Sequence, residues 1–518
     1  MKIAIVGGGT AGWLAALFLC KVQKGSHDIT VIESSKIGII GAGEGSTGHL
    51  ADIVNNRLWN FDCNELDFIR ECDVTIKLGI KHKGWTPNID DFYYGPIDGS
   101  QTGGDIPDLN FLYALGHGDF SKLHTCTVLG TFLDAKKSTY YDLESSTGNH
   151  AYHFDAHKVG KYFQKVCMKE NVKHIDSEVL DVQLNEQGSI KSLKLSNDTI
   201  VEADFFIDCS GFARVLMNKL GAKWISYKDN LPVDTALPFF LPYQENEIIE
   251  PVTGAWAQNN GWMWDIPTQA RRGCGYVFDS NFVTPDQALA ELEKTIGRKV
   301  DPIRTLKFDT GRLDKVWMKN CVAIGLSSAF AEPLEATSIH STIVQLTYLC
   351  FEYLRDTVED TVSEGAANAY SRRCGYMYDT FRDFLVLHYM GGRKDTEFWK
   401  YISTGETMTD FVRDQLGMAK HRSPNSSEFL GFFGYAGWVL FSQVLAGTGN
   451  LTPEIARKEL EFYGKTEMAR EKYEDLQMRY KRAPERCLDN TKFIKMLQEQ
   501  AKTGIKLPPS NNTIVMIE

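Results

Sequence analysis

Three glycines near the N-terminus have the spacing of a dinucleotide-binding turn. Gly7, Gly9 and Gly12 form a GxGxxG pattern between a predicted strand and a predicted helix. The first glycine allows a tight turn, the second lets the backbone approach a pyrophosphate, and the third lets helix and strand pack closely. Glu33 ends the next predicted strand, about 20 residues after the last glycine, where an acid holds ribose hydroxyls. Strand, helix and acid stand in the right order, so the sequence predicts a dinucleotide site.

Two later segments favour FAD as the dinucleotide. FIDCSG (206–211) and CVAIGLSSAF (321–330) each have the pattern of a strand followed by a tight turn. Such turns can approach a flavin or its ribityl chain, although each one alone is equally compatible with an ordinary strand end. Their order after an N-terminal fingerprint favours FAD, and we identify no second fingerprint for NAD(P)H.

Lysines and tryptophans at alternating positions are further candidates. Lys77 and Lys81 alternate with apolar residues on a predicted strand at about 74–82, a pattern more typical of a solvated strand face. Trp262 and Trp264 stand at positions i and i+2, so their rings lie on one strand face. Two such rings can shield a flavin from an organic substrate. Without further context, however, two tryptophans at this spacing are more often core residues.

The bulk composition is that of an ordinary globular protein. The chain has 518 residues, 43% of them hydrophobic and 24% charged, which is enough for two or three domains. A net charge of −11 argues against a nucleic-acid groove. The eleven cysteines lack CxxC or zinc spacing, so we predict no metal site and reduced thiols in a cytoplasmic protein. We expect neither a signal peptide nor a membrane span, since a strand begins at once and no long apolar window follows.

The predicted elements indicate an α/β fold. The first forty residues alternate strand, helix and strand at 2–6, 12–22 and 29–32, and a glycine-rich loop follows at 38–48. Residues 85–150 are predicted to form an irregular insertion with short strands. Further elements are predicted as a helix at 156–169, strands at 179–184, 190–195 and 199–208, strands and loops at 230–320, and mostly helices from 336 to about 500.

These elements predict a Rossmann-like FAD-binding domain built from discontinuous segments. We assign residues 1–75, 150–215 and 300–350 to this domain. The remaining ranges form a mixed β, then mainly helical, substrate-binding region: 76–149, 216–299 and 351–518. The sequence allows a homo-oligomer but does not specify one.

The segment WMWDIP (262–267) resembles the WxWxIP signature of the flavin-dependent halogenases, the group that includes the tryptophan halogenases. The resemblance spreads over most of the chain and fades after about residue 400. Its other motifs are GGGTAGW (7–13), HFDAH (153–157), FIDCSG, GLSS (325–328) and EPLE (332–335).

The resemblance implies two catalytic residues. In TIKLGIKHKGW the first lysine of the family motif is Lys77, while Lys81 and Lys83 are interpreted as surface charges. Lys77 would donate a hydrogen bond to hypohalous acid or, if deprotonated, form a haloamine. Glu335 matches the family's glutamate, which would orient Lys77 or hypohalous acid, or take the proton of the aromatic intermediate. The alternative is structural: Glu335 stands at the start of a predicted helix, where an acid commonly stabilises the helix dipole.

The resemblance also implies ligand contacts. Backbone N–H groups near Thr337 and Ser338 would hold halide, although the family's Ser-Thr-Gly is replaced here by Ala336, Thr337 and Ser338. Trp262 and Trp264 would shield the flavin. The residues assigned to FAD are Gly7, Gly9, Thr10, Ala11, Gly12, Glu33, Gly43, Glu44, Ser46 and Gly325.

The implied reaction uses FADH₂ from a separate flavin reductase. Reduced FAD and oxygen give a flavin hydroperoxide, halide (chloride, bromide or iodide) attacks it, and hypohalous acid migrates through an internal tunnel to Lys77. There it halogenates an electron-rich aromatic carbon. The alternatives are an FAD-dependent hydroxylase or epoxidase of the same fold, and a catalytically inactive flavin-binding homologue.

The substrate-binding segments depart from the tryptophan-specific pattern. Tyr94 and Pro96 stand where a histidine and a phenylalanine are expected, and SSEFLGFFGYAGWVLF (426–441) is small and apolar and lacks the family's tyrosine pair. We therefore expect a free indole or phenol rather than free tryptophan. The candidate pocket residues are Tyr94, Phe429, Phe433 and Trp438, with a buried helix face as the alternative for the last three.

Overall fold

The computed structural model describes residues 1–23, 26–38, 43–98, 108–354, 363–429, 437–503 and 513–514. In chain order, strands β1 to β24 span Lys2–Val6, Asp28–Glu33, Glu44–Gly45, Thr75–Lys77, Gly79–Lys83, Phe92–Pro96, Ser145–Ser146, Ala151–Phe154, Lys173–Asp176, Val179–Leu184, Ile190–Leu195, Ile200–Glu202, Phe205–Asp208, Trp224–Ser226, Thr235–Leu241, Val252–Ala257, Gly261–Pro267, Arg272–Phe278, Leu306–Lys307, Gly311–Leu313, Trp317–Met318, Cys321–Ala323, Ala329–Phe330 and Thr513–Ile514.

Helices α1 to α17 span Thr10–Val22, Gly48–Val54, Glu65–Glu71, Leu109–His117, Val128–Asp134, Ala156–Cys167, Val215–Lys219, Pro285–Ile296, Thr337–Tyr348, Glu364–His388, Glu397–Ile402, Asp410–Met418, Trp438–Gly447, Pro453–Phe462, Thr466–Tyr480, Ala483–Arg486 and Asn490–Lys502. Within the described ranges, none of these helices is long and apolar enough to cross a membrane.

A six-stranded sheet in the order β21-β22-β13-β1-β2-β9 confirms the predicted α/β, Rossmann-like fold. All its pairings are parallel except β21 with β22. Strand β1 is central and almost wholly apolar, because a parallel sheet is covered on both faces. The carboxyl ends of β1, β2 and β13 meet at one edge, where open α/β sheets bind their ligands.

The strand predicted at 74–82 is two strands in two different sheets. Strand β4 belongs to a three-stranded sheet, β3-β8-β4, whereas β5 belongs to a seven-stranded sheet, β19-β15-β18-β17-β16-β5-β6. The chain crosses at Leu78, whose N–H donates to the carbonyl of Pro251 outside either ladder, at 2.8 Å. Lys77 and Lys81 therefore do not share a strand face.

The two other lysines of this segment differ from each other. Lys81 is half-buried, and its ammonium lies 4.3 Å from the Phe92 ring centroid and 5.3 Å from that of Tyr94, so this surface charge also packs on aromatic rings. Lys83 is exposed and lies 3.5 Å from Asp90 Oδ1, as a surface charge does.

Two other sequence-based expectations need correction. The insertion at 85–150 contains helices α4 and α5, because Asp108 and Thr127 cap them by accepting the N–H of Phe111 and Gly130. The strand predicted at 199–208 is β12 and β13, which lie in different sheets.

The chain is mainly helical from α9 onwards, as predicted, and one of these helices reaches back to the sheets. Helix α10 ends at His388, and Tyr389 follows; both side chains are fully buried. Both contact glutamates of the segment Glu332–Glu335 just before α9. The helical region thus supplies part of the site described next.

Candidate active site

The glycine-rich turn has the geometry of a phosphate cradle. Gly7 has a φ of 115°, and a Cβ there would lie 2.1 Å from the Cys209 carbonyl oxygen. A Cβ at Gly12 would lie 1.8 Å from the Gly7 oxygen, so this glycine serves the packing of helix on strand. By contrast, nothing lies within 4 Å of a Cβ at Gly9. The backbone at Gly9 therefore faces open space that a ligand can fill.

That space belongs to a cavity of about 530 Å³, which we call the dinucleotide cavity. Gly9 caps helix α1 without a side-chain hydrogen bond, so the first N–H groups of the helix are available to a phosphate. The residues assigned to FAD from the sequence that line it are Gly7, Gly9, Thr10, Ala11, Glu33, Glu44 and Gly325. The residues present fit a dinucleotide.

Three residues assigned to FAD do not line this cavity. Gly12 packs behind the turn, and Gly43 lines a second cavity. Ser46 is fully buried and bonded to Tyr152: its Oγ accepts the Tyr152 N–H at 3.0 Å, and its own N–H donates to the Tyr152 carbonyl at 2.8 Å. The Ser46 hydroxyl thus joins β3 to β8 and does not line the dinucleotide cavity.

Alanine at Gly7 and alanine at Gly9 are expected to fail differently. Gly7→Ala forces a left-handed conformation and a clash with backbone, so the free energy of unfolding decreases by about 1–3 kcal/mol. Gly9 has a φ of −73°, which alanine tolerates, so stability is retained. FAD affinity still decreases about tenfold or more, because the new methyl occupies phosphate space. Thermal unfolding and flavin titration check both variants. A Gly9→Ala protein with unchanged FAD affinity would contradict this position for the phosphates.

A second cavity, of about 250 Å³, adjoins the dinucleotide cavity; we call it the lysine cavity. The two cavities share the lining residues Glu44, Phe212, Leu326, Ser338 and Ile339. The lysine cavity is also lined by Lys77, Trp264, Glu332 and Thr337. A small molecule formed at the dinucleotide cavity thus has the lysine cavity as its direct neighbour.

Lys77 ends strand β4 and is 1% exposed. A Cβ at Gly45 would lie 3.0 Å from Lys77 Nζ and 3.7 Å from the Ala336 Cβ, so the amine lies beside the turn before α9. Burial lowers the pKa of Lys77 to about 8, although the charge of Glu335 raises it. Both protonation states of this amine are therefore accessible near neutral pH.

The two tryptophans of strand β17 lie on one face, as the i, i+2 spacing predicts. Their ring centroids are 6.5 Å apart. The Trp264 ring lines the lysine cavity and packs so closely over Gly275 that a Cβ there would lie 2.0 Å from it. Trp262 does not line this cavity; it packs against Trp85, and its Nε1–H donates to Glu332 Oε2 at 3.1 Å.

Glu335 is held by two histidines. Its Oε1 lies 3.0 Å from His388 Nε2 and 3.2 Å from His82 Nε2, and all three residues are buried. Burial raises the pKa of the Glu335 carboxyl, but the hydrogen bond with His388 and the close approach of His82 outweigh it and hold this pKa well below its usual range. Burial lowers the pKa of His82 to about 4, against the opposing effect of Glu335.

Both ring nitrogens of His388 have a partner. Its Nδ1 lies 2.8 Å from the Phe384 carbonyl oxygen, which only accepts, so Nδ1 is the donor of this bond. Its Nε2 lies 3.0 Å from Glu335 Oε1. Nitrogen atoms of His82 and His388 and a carboxylate oxygen of Glu335 lie within 4.8 Å of one another, and all three residues are buried.

The turn before α9 brings the two glutamates and the helix start together. Ala336 has a φ of 54°, a left-handed conformation, and the helix begins at the next residue without a side-chain cap. Thr337 and Ser338 line the lysine cavity, and their N–H groups have no partner within the helix. The predicted halide residues therefore stand at an uncapped helix N-terminus beside Lys77.

Among the described residues, those predicted for the substrate pocket do not line one common cavity. Tyr94 is half-buried, 4.5 Å from the His124 ring, and lines a small aromatic cavity. Phe429 is buried and packs on Phe411 and Phe441, which is the helix-face alternative for this residue. Trp438 is half-buried at the start of α13, and Phe433 lies outside the described residues.

Sequence reasoning missed His82, His388, Tyr389 and Glu332. His82 is part of the TIKLGIKHKGW motif, and Glu332 begins EPLE, so both stood in quoted motifs that signalled them. His388 and Tyr389 stand about 50 residues beyond EPLE, and no local pattern indicated that α10 would return them to Glu335 and Glu332.

Comparison with known proteins agrees with this geometry. A family model for tryptophan halogenase matches residues 2–460. The tryptophan 6-halogenase SttH from Streptomyces toxytricini is 30% identical over 86% of this chain and 89% of its own length. The tryptophan 7-halogenase RebH from Lentzea aerocolonigenes is 32% identical over 77% of this chain and 78% of its own.

The solved structures agree. A tryptophan C-6 flavin-dependent halogenase (chlorinase) from taromycin biosynthesis superposes with a TM-score of 0.85 at 30% identity, covering 96% of this chain and 99% of that one. The fold and the site therefore define a flavin-dependent oxidoreductase of the halogenase class. Within that class, the chain belongs to the tryptophan halogenase family.

Proposed function

We propose that this protein uses FADH₂, oxygen and halide to halogenate an electron-rich small aromatic of the indole or phenol type, with hypohalous acid delivered to Lys77. The observation that carries this proposal is the adjacency of the two cavities. One is lined by the phosphate cradle, the other by a buried lysine, and they share five lining residues. An oxidant made in the first cavity is therefore used in the second.

Together with oxygen, bound and reduced FAD would supply the two-electron oxidation of halide. The cradle at Gly7 and Gly9 and the start of α1 hold its phosphates, and Glu33 its ribose. The N–H groups of Thr337 and Ser338 hold the halide at a helix N-terminus. A separate flavin reductase supplies the reduced cofactor.

The amine of Lys77 then holds the electrophilic halogen. As an ammonium it donates a hydrogen bond to hypohalous acid and polarises the halogen. As a neutral amine it attacks the halogen, giving a haloamine and water. Glu335 accepts the proton that the aromatic carbon loses, and its pairing with His388 keeps it a carboxylate ready to do so.

Trp264 supports halogenation rather than hydroxylation at the flavin. Its ring lines the small lysine cavity and leaves about 250 Å³ there. The family resemblance implies that this ring keeps an aromatic substrate away from the flavin, a separation that a hydroxylase would not need. The substrate class rests on the C-terminal segment at 426–441, whose sequence lacks the tyrosine pair of tryptophan-specific enzymes.

The test is product identity. The protein is incubated with FADH₂, oxygen, indole or a phenol, and chloride, bromide or iodide, and products are read by mass spectrometry. Halogenated product that depends on halide is expected. Hydroxylated product without halogenated product would replace this proposal by that of a monooxygenase, and no product at all by that of an inactive flavin-binding homologue.

A further inference from the structure

Forming hypohalous acid consumes a proton, so the site needs a proton donor. Resting on the proposed function, the net step is FADH₂ + O₂ + X⁻ + H⁺ → FAD + HOX + H₂O. FADH₂ and halide each lose two electrons and oxygen gains four, so the electrons balance. The atoms and the charge are also equal on the two sides. A buried acid beside the cavities can supply this proton directly.

Glu332 is a buried acid of this kind. It is fully buried, it lines the lysine cavity, and it stands three residues before Glu335. Its Oε2 accepts two hydrogen bonds, from Tyr389 Oη at 2.7 Å and Trp262 Nε1 at 3.1 Å. Its Oε1 is buried and has no hydrogen-bond partner among the described residues.

The two anchoring bonds decide which oxygen carries a proton. Tyr389 and Trp262 both donate to Oε2, so that oxygen is occupied as an acceptor. A proton on the carboxyl group is therefore placed on Oε1. A buried hydroxyl without an acceptor is costly, and a transient oxygen-containing intermediate in the adjoining cavity would provide one.

We propose that Glu332 is the proton donor for hypohalous acid formation, giving up the proton on Oε1 to an oxygen atom released as hypohalous acid or water. The O–H bond of the carboxyl breaks and an O–H bond of the product forms. Glu332 is left as a carboxylate held by Tyr389 and Trp262, and it is reprotonated from solvent between turnovers. Trp262 is thus a positioning residue for this acid, in addition to any shielding.

The electrostatic surroundings suit this role. Burial raises the pKa of Glu332 to about 7, against the lowering effects of Tyr389, Trp262 and His388. Near neutral pH the group therefore both holds and releases a proton. The other titratable or charged groups that line the lysine cavity are Glu44, Lys77, Arg304 and Lys307.

The deciding experiment compares Glu332→Gln with Lys77→Met in the FAD-loaded protein. Oxygen consumed, hydrogen peroxide released and hypobromous acid captured by monochlorodimedone are measured with bromide present. Glu332→Gln keeps oxygen consumption within about twofold of wild type but captures at least tenfold less hypobromous acid, with peroxide making up the difference. Lys77→Met still yields capturable hypobromous acid, because it fails after that step.

A second variant separates proton donation from support of the fold. Wild-type capture falls as the pH rises above about 7, since the protonated form of Glu332 is lost. Tyr389→Phe removes a hydrogen bond that lowers this pKa, so the fall moves to higher pH. Glu332→Asp, which keeps the proton on a shorter side chain, restores part of the capture lost in Glu332→Gln.

Two results would overturn the assignment of Glu332. One is wild-type capture of hypobromous acid by Glu332→Gln at equal flavin occupancy. The other is a Tyr389→Phe protein whose pH dependence matches that of wild type. A wild-type protein that yields neither capturable hypobromous acid nor brominated aromatic under any condition would instead contradict the proposed function itself.

Discussion

Lys77→Met is expected to reduce halogenated aromatic product by at least about 10²-fold while FAD binding and flavin oxidation persist. The variant keeps a side chain of similar length in the fully buried position, so the fold is retained. It removes the amine that lies beside the turn at Ala336 in the lysine cavity. Product is measured by mass spectrometry and flavin oxidation by absorbance.

Lys81→Ala is the matched control for this prediction. Lys81 is four residues after Lys77 and belongs to another sheet. It is half-buried, with its ammonium over the rings of Phe92 and Tyr94. Its loss is expected to change product yield by less than about threefold, the scale of a cation–π contact. Halogenation retained by Lys77→Met, or lost equally in both variants, would contradict the assignment of Lys77.

The pH dependence of the second stage separates the two roles open to Lys77. With a pKa of about 8, the neutral amine rises from roughly 10% at pH 7 to roughly 90% at pH 9. A haloamine route therefore accelerates as pH rises through 8, and a hydrogen-bonding ammonium slows over the same range. The pH is changed only when the aromatic is added, so that formation of hypohalous acid does not obscure the result.

Glu335→Gln is expected to lower halogenation by about 10²–10⁴-fold, the scale of a lost general base. The amide keeps the size of the side chain but cannot accept the proton of the aromatic carbon. It also removes the charge that raises the Lys77 pKa, so this pKa falls further below that of an ordinary lysine. Halogenation rate and second-stage pH dependence are measured together.

The neighbouring variant Glu332→Gln is a matched comparison, since both glutamates are buried in one turn. Glu335→Gln is expected to form capturable hypobromous acid like Lys77→Met, whereas Glu332→Gln is not. A Glu335→Gln enzyme within tenfold of wild-type halogenation would show that another group takes the proton.

The sequence predicted those features whose cause is local. The GxGxxG spacing placed the turn between β1 and α1 and Glu33 at the end of β2, because glycine positions and strand periodicity are written in adjacent residues. The i, i+2 spacing placed Trp262 and Trp264 on one face of β17 for the same reason.

Features set by tertiary contacts were not predicted. The alternation around Lys77 could not reveal that the chain leaves one sheet and joins another at Leu78, which buries Lys77 and separates it from Lys81. The partners of Glu335 and Glu332 arrive on α10, about 50 residues away. The role of Phe429, which packs on Phe441, could not be predicted because an aromatic cluster in a helical region has the same composition in a pocket and in a core.

Delayed addition of the aromatic tests the central claim most directly, since that claim separates the site of oxidation from the site of halogenation. Protein loaded with FADH₂ is mixed with oxygen and bromide, and indole is added only after the flavin has reoxidised. Added thiol scavenges any oxidant that escapes from the protein. Wild-type protein is expected to give brominated indole after the delay. Lys77→Met is expected to give none, because its oxidant escapes to the thiol. Wild-type protein that yields brominated or hydroxylated indole only when indole is present during flavin oxidation would contradict the account.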